Sequence, residues 1–298
     1  MNRTTIRNSM LLFTAAVIWG VAFVAQSVGM DYMGPFTFNG TRFLLGGIVL
    51  LPLVAMRKRN HEKMKLHAPN RKVLLFGGIC CGLVLCAAST FQQFGIMYTT
   101  VGKAGFITTL YIILVPVLGI FMKKKVAGKV WIGALIAAVG YYLLCMHGDF
   151  VLSMGDGLVF VCAILFSVHI LVIDYFSPKA DGVALSCIQF LVAGIICLVL
   201  AFLFEEPRVA DLWAGLVPLL YTGILSSGVA YTLQIVGQKD MDPTVASLIL
   251  SMESVVSALA GWAILGQGLS ARELFGCVLV FAAVILVQLP EKRRRFVE

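Results

Sequence analysis

The run from Met10 to Met30 carries no charged residue, and it is the first of ten long apolar stretches. A helix needs about 20 mostly apolar residues to cross a bilayer. Comparable runs follow at Pro35–Met56, Val73–Met97, Gly105–Met122, Val130–Met146, Gly157–Phe176, Val183–Phe204, Leu212–Val236, Val245–Leu265 and Leu274–Leu289. The 298 residues are 60% hydrophobic and only 13% charged, where soluble domains carry roughly a quarter charged residues. The expectation is an all-α integral membrane protein of ten transmembrane helices.

The net charge is +8, but the basic residues fall in short clusters between the runs, as topology signals do, and this excludes a nucleic-acid partner. With the N-terminus inside, the cytoplasmic segments hold Arg3 and Arg7, the loop from Arg57 to Lys72, the Lys123–Lys125 cluster with Lys129, then Lys179, Lys239 and the tail from Lys292 to Arg295. Outside remain Lys103, Arg208 and Arg272. This bias predicts a multi-pass protein of the cytoplasmic membrane with both termini in the cytoplasm. The first run is too long for a cleaved signal peptide. The loop "RKRNHEKMKLHAPNRK" (Arg57–Lys72) reads as a solvated topology anchor beside the lipid head groups. Eight cysteines lie in or beside apolar runs without a Cys-x-x-Cys pair. They read as small hydrophobes, and neither a metal site nor a cofactor is expected.

The chain also resembles itself. Shifted by 147 residues, "LLFTAAVIWGVAF" (Leu11–Phe23) lies over "LVFVCAILFSVHI" (Leu158–Ile170), and "RFLLGGI" (Arg42–Ile48) over "QFLVAGI" (Gln189–Ile195). A shift of 143 lays "VAGKVWIG" (Val126–Gly133) over "LSARELFG" (Leu269–Gly276). The halves are 1–147 and 148–298. Five helices are an odd number, so the second half enters the membrane in the opposite sense. Inverted five-helix repeats of this kind place a substrate site between the halves near the midplane.

Polar residues at membrane depth are the candidates for that site. Asn39, Arg42 and Gly46 share one helix face at i, i+3 and i+7. A guanidinium in hydrocarbon costs about 2.5–3.5 kcal/mol on insertion scales. Arg42 therefore either lines a cavity or snorkels to the outer interface, which lies roughly 10 Å away along the helix. Ser227, Tyr231, Gln234 and Gln238 form a stripe in the eighth run that lipid does not satisfy. Ser89, Gln92 and Gln93 lie in the third run, and Tyr111 lies near Pro116 in the fourth, where a proline bends a helix. In the ninth run Ser247, Ser251, Ser254 and Gly261 form a small-residue packing seam. Glu253 lies off that seam, and three roles are open to it: a proton-coupling acid, a counter-ion to Arg42 or to a cationic substrate, and a neutral acid bonded to Ser257. His169 and Asp174 are weaker candidates, with Asp174 near the cytoplasmic end.

The stretch "SMESVVSALAGWAILGQGLSARELFGCVLVFAAVIL" (Ser251–Leu286) resembles the EamA family of the drug/metabolite transporter superfamily through Glu253, Val255, Leu265, Gly266 and Gly276. It departs at Ser254, where the family usually has proline, and at Gln267, where glutamate is usual. "VIWGVAFV" (Val17–Val24), "TRFLLGG" (Thr41–Gly47) and "KAGFITTLYIILVPVLGIF" (Lys103–Phe121) carry the companion pattern. The resemblance implies a ten-helix, inverted-repeat carrier of small metabolites, often an exporter of amino acids or related compounds.

The expected function is therefore secondary transport by alternating access around a site lined by Trp19, Asn39, Arg42, Gln93, Tyr111, Ser227, Tyr231, Gln234 and Glu253. Arg42 would attract a carboxylate or phosphate, the aromatic rings would pack apolar parts, and the amides would orient polar ends. An intramembrane enzyme needs paired carboxylates, a Ser/His pair or a metal cluster at depth. The four histidines do not supply one, and no H-E-x-x-H or nucleotide-binding loop occurs. A passive channel is the other alternative, but the chain has no repeated ring of charges or carbonyls of the kind filters use.

Overall fold

A computed structural model describes residues 3–63, 70–99, 101–123, 126–145, 153–265 and 270–288, and these residues form helices and connections without a strand. The helices are α1 (Arg3–Gly29), α2 (Pro35–Lys63), α3 (Arg71–Tyr98), α4 (Val101–Thr108), α5 (Tyr111–Phe121), α6 (Gly128–Cys145), α7 (Met154–Phe176), α8 (Gly182–Phe204), α9 (Val209–Ala214) and α10 (Leu216–Leu220). A π-helical segment, Tyr221–Tyr231, leads into α11 (Thr232–Gln238), and α12 (Pro243–Leu250), α13 (Met252–Leu265) and α14 (Ala271–Gln288) complete the chain. Local chemistry sets the starts. Asn70, Asp181 and Asp242 each accept two backbone N–H groups at the head of α3, α8 and α12, while Ser153 and Asp156 form a reciprocal capping box on α7.

Eight helical stretches among the described residues are long and apolar enough to cross a membrane. Two more apolar helices, Gly128–Gly140 and Leu274–Val287, are shorter and belong to α6 and α14, which pack together. The protein is an all-helical, multi-pass membrane protein. Large apolar side chains such as Phe121, Phe202 and Phe204 point outward from it, as a lipid-facing surface requires.

Three of the expected continuous helices are interrupted. The fourth run breaks at Thr109–Leu110, where hydrogen bonds of the i→i−3 type replace α bonding and the Thr109 hydroxyl donates to the Phe106 carbonyl. The ninth breaks at Ser251, beside Ser247 and Ser251 hydroxyls that donate to carbonyls three residues back. Such back-bonding competes with the helix ladder. The eighth run widens into the π segment, a rare winding that concentrates at functional sites.

Helices from the two ends of the chain pack on one another: α2 on α8, α3 on α7 and α8, α1 on α13, and α1 and α2 on the π segment. The approach of α2 to α8 is close from both sides. A Cβ on Gly47 would stand 3.0 Å from Leu191, and one on Gly194 would stand 2.8 Å from Leu44 and 2.9 Å from its backbone nitrogen. Small residues here let the backbones meet. The ends of this pair are tied as well. Arg57 and Asp181 form an ion pair at 3.0 Å, and the Glu205 carboxylate accepts the backbone N–H groups of Phe36 and Thr37 at 2.8 Å each, with the Thr37 hydroxyl at 2.6 Å.

Candidate functional site

One cavity of about 480 Å³, its opening included, lies between helices of both chain halves. Its walls are Trp19, Phe23 and Gln26 of α1, Arg42 of α2, Gln92 of α3, Thr108 and Tyr111 at the break in the fourth run, and Phe166 and Ile170 of α7. Ser226 and Tyr231 of the π segment, Gln234 of α11, Leu250 of α12 and Glu253 of α13 complete them.

Arg42 is 2% exposed, so it does not snorkel to the interface. Its Nε donates to Asn39 Oδ1 at 2.9 Å, and its guanidinium carbon lies 4.6 Å from the Phe43 ring centroid and 5.7 Å from that of Phe38. Asn39 in turn donates through Nδ2 to the Ser89 carbonyl at 3.1 Å. The guanidinium is thus fixed by one amide and two aromatic faces, an arrangement in which cation–π attraction stands in for part of the lost hydration. Among the described residues it has no carboxylate partner; the recorded ion pairs there are Arg57–Asp181 and Arg208–Glu206.

Glu253 does not serve as the counter-ion to Arg42, and it does not pair with Ser257, whose hydroxyl donates to the Ser254 carbonyl. Instead, its Oε1 accepts from the Tyr111 hydroxyl at 2.9 Å, across the two helix breaks. Of the expected packing seam, Ser254 meets a neighbouring helix: its hydroxyl donates to the Gly105 carbonyl at 2.9 Å and approaches the Thr109 hydroxyl at 3.3 Å. Trp19 Nε1 donates to the Ser226 carbonyl at 3.3 Å, and its ring meets Tyr231 edge-on at 4.6 Å.

Of the nine residues expected at the site, Trp19, Arg42, Tyr111, Tyr231, Gln234 and Glu253 line the cavity. Asn39, Gln93 and Ser227 do not. Asn39 stands behind Arg42 and orients it. Gln93 is fully buried and donates to the Gln26 carbonyl at 3.1 Å, while its neighbour Gln92 faces inward, since adjacent residues on a helix point about 100° apart. Ser227 packs on Gly46, and Ser226 takes its place.

Gln92 was among the polar candidates but outside the nine, and sequence reading missed Phe23, Gln26, Thr108, Phe166, Ile170, Ser226 and Leu250. Phe23 and Gln26 follow Trp19 at i+4 and i+7, a spacing that puts all three on one face and was available to find them. Gln189, the counterpart of Arg42 under the 147 shift, stays outside the cavity. It lies 3.1 Å from His169 Nε2, in a buried pair packed edge-on behind Tyr231.

The EamA-like transporter family model matches residues 7–146 and again 153–289. The chain belongs to the EamA-like transporter family. An uncharacterized transporter from Archaeoglobus fulgidus is 31% identical over 93% of this chain and 84% of its own length. The uncharacterized transporter YoaV of Bacillus subtilis is 20% identical over 95% of this chain and 97% of its own, and the uncharacterized inner membrane transporter YedA of Escherichia coli K12 is 23% identical over 93% and 89%. A solved crystal structure superposes with a TM-score of 0.76 at 19% identity, covering 94% of this chain and 96% of its own, and so shares the fold. In this EamA-like transporter Pro116 lies in α5, beyond the break at Thr109–Leu110, whereas the Gln267 departure from the family pattern lies outside the described residues.

Proposed function

We propose that this EamA-like protein is a secondary transporter that moves a small metabolite, an amino acid or related compound, out across the cytoplasmic membrane by alternating access. Ten spans form two inverted halves, 1–147 and 148–298, with both termini in the cytoplasm. The cavity between the halves is the substrate site. The observation that carries this reading is a buried guanidinium, without a carboxylate partner among the described residues, on the wall of a cavity between helices of both halves. A charge in that position is expensive unless something arrives to compensate it.

Support for inverted halves comes from the cavity itself. Under the 147 shift Trp19 corresponds to Phe166 and Phe23 to Ile170, and all four line it. Under a shift of 142, one residue from the 143 found in the sequence, Gln92 corresponds to Gln234, Thr108 to Leu250 and Tyr111 to Glu253. Ten of the 14 lining residues thus fall into five related pairs. The close contacts obey the same exchange: Gly47 against Leu191 is the counterpart of Gly194 against Leu44. A cavity on such an interface suits rocking of one half against the other. The basic loops and the name of the Escherichia coli relative, an inner membrane transporter, fit the stated location.

Counterflow in reconstituted vesicles tests the proposal. A metabolite panel should include a solute with saturable counterflow, and Arg42→Ala should abolish that counterflow while the protein still inserts and purifies as a folded species. Uptake unchanged by Arg42→Ala would refute the assignment.

A further inference from the structure

Two of the eight cysteines meet. Cys86 of α3 and Cys197 of α8, 111 residues apart in the chain, place their sulfurs 3.4 Å apart in a thiol–thiol hydrogen bond. α3 belongs to the first stretch that matches the family model and α8 to the second. Cys187, by contrast, spends its thiol on the Gly47 carbonyl at 3.5 Å.

The backbones come close enough for this contact because of what precedes it. Gly78, Gly82 and Cys86 recur at i, i+4 and i+8 along one face of α3. A Cβ on Gly78 would stand 2.4 Å from Ile188, and one on Gly82 would stand 2.8 Å from the Gln189 carbonyl oxygen. The stripe therefore delivers Cys86 to α8 at short range. A disulfide holds its sulfurs at about 2.05 Å and requires such an approach, and rotation of two short side chains closes the remaining gap. The Thr90 hydroxyl, one turn beyond Cys86, stands beside both sulfurs and makes no recorded hydrogen bond of its own among the described residues. Cys197 also lies in the field of the Arg42 guanidinium, so the pair stands next to the cavity wall. Cys86 is 6% exposed and Cys197 is 0%. That setting favours a small neutral oxidant over a charged reductant such as glutathione, which would have to enter at membrane depth.

We propose that Cys86 and Cys197 form an oxidation site, a dithiol that hydrogen peroxide converts to a disulfide joining α3 to α8. One sulfur attacks a peroxide oxygen, the O–O bond breaks, and the departing hydroxide takes a thiol proton and leaves as water, with a sulfenic acid on the first sulfur. The second sulfur then displaces the sulfenic hydroxyl, which leaves as a second water with the other thiol proton. Two thiols lose two electrons and one peroxide gains them. Because α8 is already tied to α2 at both ends, the bond adds α3 to that body and fixes Gln92 on the cavity wall. It is a reversible brake on movement of α3 against α8.

Peroxide treatment of the purified full-length protein, followed by blocking of free thiols and peptide mass mapping, tests this. Cys86 and Cys197 should leave the free-thiol pool together, at least about tenfold faster than Cys81 or Cys162, which are buried without a recorded sulfur partner among the described residues. The linked peptides should weigh two hydrogens less than their sum, and dithiothreitol should restore both thiols. Closing a loop this long constrains the unfolded chain, so the oxidised protein should also unfold at a higher temperature than the reduced one. Cys86→Ser and Cys197→Ser should each abolish the link and the shift; the wild-type map stands without them should either fail to fold. The proposal is overturned if the pair stays reduced, if either cysteine ends as a sulfinic acid or linked to a different cysteine, or if the linked protein unfolds no higher than the reduced one.

Discussion

The two stretches that match the family model, 7–146 and 153–289, both wall the cavity and furnish it with unequal chemistry. Where the first half puts Arg42 on the wall, the second puts Gln189 behind it, bonded to His169. Where the second half puts Glu253, the first puts Tyr111, and these two related side chains bond to each other. Backbone packing at Gly47 and Gly194 has stayed equivalent, because only a residue without Cβ lets α2 and α8 approach so closely. The side chains at the centre differ, so the proposed pair of repeats encloses an electrically lopsided space. On the proposed reading, interhelix approach constrains both halves alike, whereas recognition of a substrate needs them to differ.

Exchanging the related residues is the strongest way to break that comparison. In the double variant Arg42→Gln with Gln189→Arg, counterflow should stay as low as in Arg42→Gln alone, at least about a hundredfold below wild type, given what one buried charged contact is worth. Gln189 faces His169 rather than the cavity, so its arginine would not restore the site. Recovery of transport in the double variant would mean that the two positions are interchangeable.

A smaller effect is expected at the bond that joins the other related pair. Tyr111→Phe removes the recorded hydroxyl donor to Glu253 and should lower the unfolding free energy by about 1.5–3 kcal/mol. Unfolding in detergent measures it, and an unchanged stability would show that the carboxyl does not depend on the phenol.

The smallest expected effects sharpen the structural half of the comparison. Gly194→Ala places a Cβ against Leu44, including its backbone nitrogen, and should destabilise by about 1–3 kcal/mol. Gly47→Ala meets only the side chain of Leu191 at this range and should cost less. Gly128→Ala, with nothing within 4 Å, should change stability by less than either. Equal losses at all three glycines would remove close approach as the reason for them.

Much of this was legible in the sequence because bilayer thickness imposes a run length that composition alone reveals. The depth and rarity of Arg42 and Glu253 marked them for the same reason. Facing was harder. The choice between Gln92 and Gln93, or Ser226 and Ser227, turns on helix phase, and the π winding after Tyr221 shifts that phase without a warning in the residue pattern. The breaks at Thr109–Leu110 and Ser251 arise where Thr and Ser hydroxyls bond back to carbonyls, a choice that the sequence permits and the packing selects. Asn39 has the right spacing for the cavity but spends both ends of its amide on Ser89 and Arg42.

Sidedness of two lysines tests the inverted arrangement most directly. Membrane-impermeant amine labelling of intact cells should reach Lys103 from outside, while Lys239 should react only after the membrane is opened. Reaction of both from the same face would contradict two oppositely inserted halves and the shared cavity built on them.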